Sequence, residues 1–149
     1  MVVDGDVFIA EGFILDNGYV HDTPFLIISG GTFTIPLLCV KGTSKLERYR
    51  LTTEGCNCGD QQFYKSFYIP KDWNECFDRD TCLDLKQLYP ISLRTFIAAR
   101  EERNLNYLGK MTPHCFHSVL QCFENVADDT AEDSMERIRE ARKKLDLDF

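Results

Sequence analysis

The sequence predicts an α+β fold, with an N-terminal antiparallel β-sheet of five to six strands followed by about three α-helices. Two observations support this class. Residues 6–70 contain β-rich apolar runs separated by turn dipeptides, and residues 90–147 contain apolar positions at 3- and 4-residue spacing. Strands at this spacing are typical of a small barrel or a sandwich. At 149 residues, we expect a single domain, 1–149.

Two tight-turn signals organise the first predicted strands. Asn17-Gly18 tolerates both positive φ angles of a type I′ turn, and Gly30-Gly31 precedes a predicted strand at 32–35. Together they predict a three-stranded meander. The apolar run 25–28 does not alternate with polar residues, so we expect both faces of this strand to be covered. Further strands are predicted at 37–40, 46–53 and 62–69.

Helix signals appear in the second half of the chain. Ser92 is the expected N-cap of a helix at 92–106, and Pro113 occupies the first helical position of a helix at 112–126. A last helix, 129–146, opens with acidic residues and closes with basic ones. Its apolar stripe is thin, so we predict that it projects or binds a partner. The candidate partner-binding residues are Met135, Ile138, Arg142 and Leu145.

The charge and the apolar runs exclude several classes of protein. A net charge of −7 disfavours nonspecific binding to DNA or to an anionic membrane. No apolar run approaches the ~20 residues that cross a bilayer. The first residues lack the pattern of a secretory signal peptide. We therefore expect an intracellular protein, cytoplasmic or nuclear, with reduced thiols.

The seven cysteines divide into two groups. Cys39, Cys115 and Cys122 lie in apolar patterns, where a thiol usually packs in a core. The other four lie in loops or boundary segments and are the candidate ligands of a structural zinc: Cys56, Cys58, Cys76 and Cys82. Their spacing departs from the usual C-x₂₋₄-C knuckle. Apart from this candidate zinc, the sequence predicts no cofactor.

A basic and aromatic stretch supports an alternative function. Basic residues on one strand face beside aromatic rings are typical of small barrels that bind single-stranded nucleic acid. The candidate residues in the 45–68 stretch are Arg48, Arg50, Lys65, Tyr64 and Tyr68. The acidic balance of the whole chain disfavours this alternative.

No catalytic constellation stands out, so the sequence predicts no catalytic residues and no enzyme. No nucleophile signature surrounds a cysteine, and the glycines form no phosphate-binding loop. We expect a non-enzymatic protein–protein interaction or regulatory factor, such as a viral or host adaptor, whose partner is another protein and not a membrane. The alternatives are the nucleic-acid binder and a small zinc-stabilised module.

Overall fold

The computed structural model describes residues 3–14, 20–46, 54–57, 65–125 and 132–148. Within them, an antiparallel sheet of eight strands and three α-helices confirm the predicted α+β class. A 3₁₀ turn spans Lys71–Trp73. The remaining elements, in chain order, are β1 (Asp6–Ile14), β2 (Val20–Ser29), β3 (Leu37–Thr43), β4 (Gly55–Asn57), β5 (Ser66–Ile69), β6 (Thr81–Asp84), β7 (Tyr89–Ile91), α1 (Leu93–Glu101), β8 (Leu105–Lys110), α2 (Pro113–Glu124) and α3 (Glu132–Asp148).

The strands form one open sheet with the order β4-β5-β6-β3-β2-β1-β8. Every pair is antiparallel, and β3 pairs with both β7 and β6 along the edge that faces away from β2. The described strands end at β4 on one side and at β8 on the other. The sheet is therefore open, which excludes the barrel alternative, and the described strands form one sheet rather than the two sheets of a sandwich.

β1, β2 and β3 form an antiparallel meander. The predicted strand at 32–35 is wrong, because this segment is a loop, and the third strand is instead the one predicted at 37–40. The turn at Asn17-Gly18 and the predicted strand at 46–53 lie outside the described residues. β5 falls within the predicted strand 62–69.

Three strands lie beyond residue 70, where the sequence predicts helices from residue 92 onward and assigns no element to 71–90. β8 begins at Leu105, so the last residues of the predicted helix 92–106 belong to a strand instead. The Ser92 N-cap is confirmed, because its side chain accepts a hydrogen bond from the Thr95 amide. The chain leaves α1 through Arg103, whose φ of 62° lies in the left-handed region. The following residues then pair with β1, and these sheet hydrogen bonds outweigh the local helical pattern.

The two later helices agree with the sequence within a few residues. α2 has Pro113 at its first turn, as the sequence predicts. α3 spans Glu132–Asp148 among the described residues, and the predicted start at 129 lies outside them. None of the described helices is long and apolar enough to cross a membrane.

Helices cover the two faces of the sheet unequally. Alternate residues of a strand point to opposite faces. Leu26 and Ile28 pack in a large core with α2 and α3, whereas Phe25 and Ile27 pack in a smaller core with α1. The expectation that the run 25–28 is covered on both faces is thus confirmed. We call the second side, where the short α1 is the one described helix that packs, the α1 face.

Candidate protein-interaction loop

The segment 30–36 joins β2 to β3 and presents two apolar side chains to solvent. We call it the β2–β3 loop. Phe33 keeps 70% of its surface exposed, more than any other large apolar residue that the structure describes, and Ile35 keeps 50%. Single exposed apolar residues are common on protein surfaces. Here two of them lie two positions apart on one short loop, which makes the loop a candidate interaction site.

Hydrogen bonds inside the β2–β3 loop fix its backbone. The Thr32 amide donates to the Ile35 carbonyl oxygen at 2.8 Å and closes a turn. Thr32 Oγ1 accepts hydrogen bonds from the amide of Thr34 at 3.2 Å and from that of Ile35 at 3.1 Å. Threonine hydroxyls often stabilise turns in this way. The loop's own residues therefore contribute to the conformation that exposes Phe33.

Gly31 permits a close approach between the two arms of the β2–β3 loop. A Cβ atom at this position would lie 2.4 Å from the Ile35 carbonyl oxygen and 2.7 Å from the Leu37 amide nitrogen. Both are backbone atoms, so neither can rotate away as a side chain could. A larger residue would therefore force the arms apart.

Arg137 on α3 holds both ends of the β2–β3 loop. Its Nη1 atom donates to the Pro36 carbonyl oxygen at 2.7 Å, and its Nη2 atom donates to the Gly30 carbonyl oxygen at 3.0 Å. Its Nε atom donates to Ser29 Oγ at 3.1 Å. The planar guanidinium carries five donors in a fixed arrangement, which suits several acceptors at fixed positions. The loop is thus tied to the helical layer.

Asp4 supports the same loop from the N-terminal segment. Its Oδ1 atom accepts a hydrogen bond from the Gly30 amide at 2.8 Å. Burial lowers the pKa of Arg137, and the negative charge of Asp4 partly opposes this effect. Arginine stays protonated in proteins. The charged contacts of Arg137 therefore persist across the physiological pH range.

The predicted zinc ligands do not come together among the described residues. Cys56 forms a disulfide bond with Cys122, so it has no thiolate to offer a metal. Cys76 and Cys82 are buried free thiols, and Cys58 lies outside the described residues. The described ranges contain no group of three or more metal-binding side chains. The assignment of Cys122 to simple packing is wrong, because this residue links α2 to β4.

The buried free thiols lie in environments that suppress their reactivity. Burial raises the pKa of Cys39 and of Cys82 to about 12, and that of Cys76 to about 11. The nucleophile in cysteine chemistry is the thiolate. These groups stay protonated and unreactive at neutral pH, as core thiols do.

Alkylation should show this protection directly. We expect iodoacetamide at mildly alkaline pH to leave Cys39, Cys76 and Cys82 unmodified in the native protein, whereas the same treatment in urea modifies all three. Peptide mapping by mass spectrometry measures each site separately. Modification of Cys82 at the same rate in the native and unfolded protein would contradict its buried position.

The predicted nucleic-acid face is described only in part. Arg48, Arg50 and Tyr64 lie outside the described residues. The Tyr68 hydroxyl donates to Asp80 Oδ2 at 3.0 Å, so a carboxylate lies beside one of the two remaining members. Lys65 is half-buried. An acidic partner at Tyr68 does not favour contact with a phosphate backbone.

The predicted partner-binding stripe of α3 packs inside the protein. Met135 and Ile138 are fully buried in the core shared with α2, and Leu145 packs against that core. Arg142 Nε pairs with Glu124 Oε1 of α2 at 3.1 Å. The prediction that α3 projects or binds a partner through this stripe is therefore wrong, because α2 already covers the stripe.

Sequence patterns missed the β2–β3 loop as a site. The alternation of threonine with Phe33 and Ile35 is typical of a strand. The turn-forming residues at both ends argue against a strand, since Gly30-Gly31 precedes the segment and Pro36 follows it. An apolar pair enclosed by such turn residues indicates an exposed loop.

No model of a known protein family matches this chain. A search of curated proteins also found no match. The geometry of the β2–β3 loop therefore carries the functional argument by itself.

Proposed function

We propose that this protein is a non-enzymatic interaction factor that binds another protein through the β2–β3 loop. The observation that supports this proposal is the exposure of Phe33 and Ile35 on a loop whose backbone is held by Arg137 and Thr32. Full burial of one such side chain stabilises a complex by about 1.5–3 kcal/mol. A loop that is already ordered loses little further conformational entropy on binding.

The composition of the loop indicates the chemistry of its partner. No residue of the segment 30–36 carries an ionisable side chain. The loop can therefore offer apolar contacts and backbone hydrogen bonds, but no ion pair of its own. We infer that the partner presents an uncharged apolar pocket that receives Phe33, with Ile35 at its rim. Aromatic anchors in such pockets often dominate the binding energy of an interface.

Truncating the two apolar side chains tests this function. We expect Phe33→Ala to weaken the affinity for a partner, captured from native cells and then purified, by at least ~10-fold, and Ile35→Ala to weaken it less. Titration calorimetry measures both dissociation constants. Both side chains are exposed, so both variants should fold as the wild type does.

Ile97 provides a matched control, because it is an isoleucine that is 39% exposed on α1 and does not belong to the β2–β3 loop. Ile97→Ala should leave the affinity unchanged. A partner that binds Phe33→Ala and Ile97→Ala equally well would contradict the proposal. Sedimentation of the wild type, but not of Phe33→Ala, with lipid vesicles would overturn it in favour of membrane attachment.

The oxidation state of Cys56 in the cell indicates the compartment in which the protein resides. The sequence indicates an intracellular protein, where disulfides are rare. The Cys56–Cys122 disulfide argues instead for an oxidising environment. Trapping thiols at the moment of cell lysis decides between the two. Reduced Cys56 supports the cytoplasm or nucleus, and a disulfide supports an oxidising compartment.

A further inference from the structure

A cavity of about 210 Å³ lies between α1 and the α1 face of the sheet. The strands contribute the rings of Phe8 and Phe25 and the thiol of Cys39, while α1 contributes Phe96 and Ala99. The cavity is partly open to solvent, and no described side chain fills it. An engineered apolar cavity of ~150 Å³ is large enough to bind benzene. This cavity is therefore of a size to hold one small molecule.

The cavity exists because α1 covers its face of the sheet incompletely. α1 has nine residues, of which only Phe96 is buried. The opposite face is covered by α2 and α3, which have 12 and 17 residues. Two small residues, Ala10 on β1 and Ala99 on α1, line the cavity at positions where larger side chains would fill it. The sequence thus leaves space between two otherwise apolar surfaces.

The lining selects uncharged ligands. Aromatic rings and aliphatic carbons make up the interior, with the Cys39 thiol among them. Polar groups lie only among Glu11, Thr95 and Asn104. Glu11 Oε1 accepts a hydrogen bond from Asn106 Nδ2 at 3.0 Å, which holds a carboxylate near the cavity. Glu11 would repel a carboxylate on a ligand, and the apolar interior would make the burial of any charge costly.

Aromatic edges favour an aromatic ligand over an aliphatic one of equal size. Phe8 and Phe96 meet edge to face, with ring centroids 5.0 Å apart. The ring of a ligand could pack against Phe8 or Phe96 in the same way, because aromatic rings attract one another in offset and edge-to-face arrangements. We propose that this cavity is a binding site for a small uncharged aromatic molecule with a single ring.

Toluene is a suitable probe of this site. We expect it to raise the melting temperature progressively with its concentration, and to shift amide resonances of α1, β1 and β2 saturably and more than those of α2 and α3. Benzoate has a ring of the same size and a negative charge, and it should produce no saturable shift. The absence of any toluene effect up to its limit of solubility, or equal binding of benzoate, would overturn the proposal.

A substitution that fills the cavity tests whether toluene binds there. Ala99→Leu should weaken toluene binding at least ~10-fold and raise the melting temperature of the free protein, because the new side chain occupies the space. Ala98→Leu is the matched control, since Ala98 is the preceding residue of α1 and is exposed. It should leave toluene binding unchanged.

A second variant guards against overpacking at Ala99. Ala10→Val on β1 adds less volume and suits a strand. It should also weaken toluene binding, with a smaller effect. If both cavity-lining variants fold and bind toluene as well as the wild type does, the proposal is wrong, whatever the melting temperature of the wild type in toluene.

Discussion

Replacing Cys56 with alanine is expected to lower the free energy of unfolding by about 4 kcal/mol, the value that the loop-entropy model gives for a cross-link of this span. Cys56 and Cys122 are 66 positions apart in sequence, so their disulfide restricts a large part of the unfolded chain. Urea unfolding, followed by circular dichroism, measures the loss. Reduction of the wild-type protein with dithiothreitol should produce a loss of similar size.

Because of its position, breaking this disulfide should destabilise one part of the sheet more than the rest. β4 has only three residues, lies at the edge of the sheet and pairs with β5 alone among the described strands. The disulfide ties this short strand to α2. Once the bond is broken, hydrogen exchange at Gly55–Asn57 should accelerate more than exchange in the central strands. The released edge would also expose backbone groups that promote aggregation.

Cys82→Ala is the control for the loss of a buried sulfur atom. Cys82 is a buried free thiol, so its replacement removes packing without breaking a cross-link. The stability of Cys82→Ala should remain sensitive to dithiothreitol, whereas that of Cys56→Ala should not. Cys56→Ala and Cys122→Ala should also be non-additive, since each breaks the same bond. A Cys56→Ala protein that is as stable as the oxidised wild type would contradict the structural role.

Replacing Arg137 with methionine is expected to destabilise the protein by about 2 kcal/mol and to release the β2–β3 loop. Methionine keeps most of the side-chain volume but donates no hydrogen bond. The carbonyl oxygens of Gly30 and Pro36 would lose their protein donor. Hydrogen exchange at the amides of Thr32 and Ile35 should then accelerate, because the turn they close would no longer be anchored to α3.

Arg139→Met is the matched control on the same helix. Arg139 is exposed and pairs with Glu132 at 3.1 Å, a surface ion pair worth about 0–1 kcal/mol. Its replacement should leave both stability and loop exchange nearly unchanged. Arg137→Lys should restore only part of the effect, because an ammonium cannot reproduce the fork geometry of a guanidinium. Equal effects at positions 137 and 139 would show that Arg137 does not organise the loop.

The affinity of Arg137→Met for the partner tests whether the ordered loop matters for the proposed function. If the β2–β3 loop binds as a preformed element, Arg137→Met should weaken binding even though Phe33 and Ile35 are retained. Unchanged affinity, together with faster exchange in the loop, would mean that the partner orders the loop itself. That result would leave the apolar contacts in place and remove preorganisation from the mechanism.

Local patterns were sufficient for the elements that satisfy their hydrogen bonds within a short segment. The Ser92 cap and Pro113 mark helix starts that the structure confirms, because capping depends on neighbours in sequence. The unbroken apolar run at 25–28 correctly indicated a strand covered on both faces. In each case the deciding interaction lies within a few residues or follows from burial alone.

Tertiary contacts decided the rest. The sequence by itself determined the α+β class, the strands β1 to β3 and the starts of two helices. It could not determine that β8 replaces the end of a helix, since this depends on pairing with β1 across almost 100 positions. Nor could it pair Cys56 with Cys122 or place Arg137 on the β2–β3 loop. Such contacts join residues far apart in sequence, and single-sequence periodicity contains only local information.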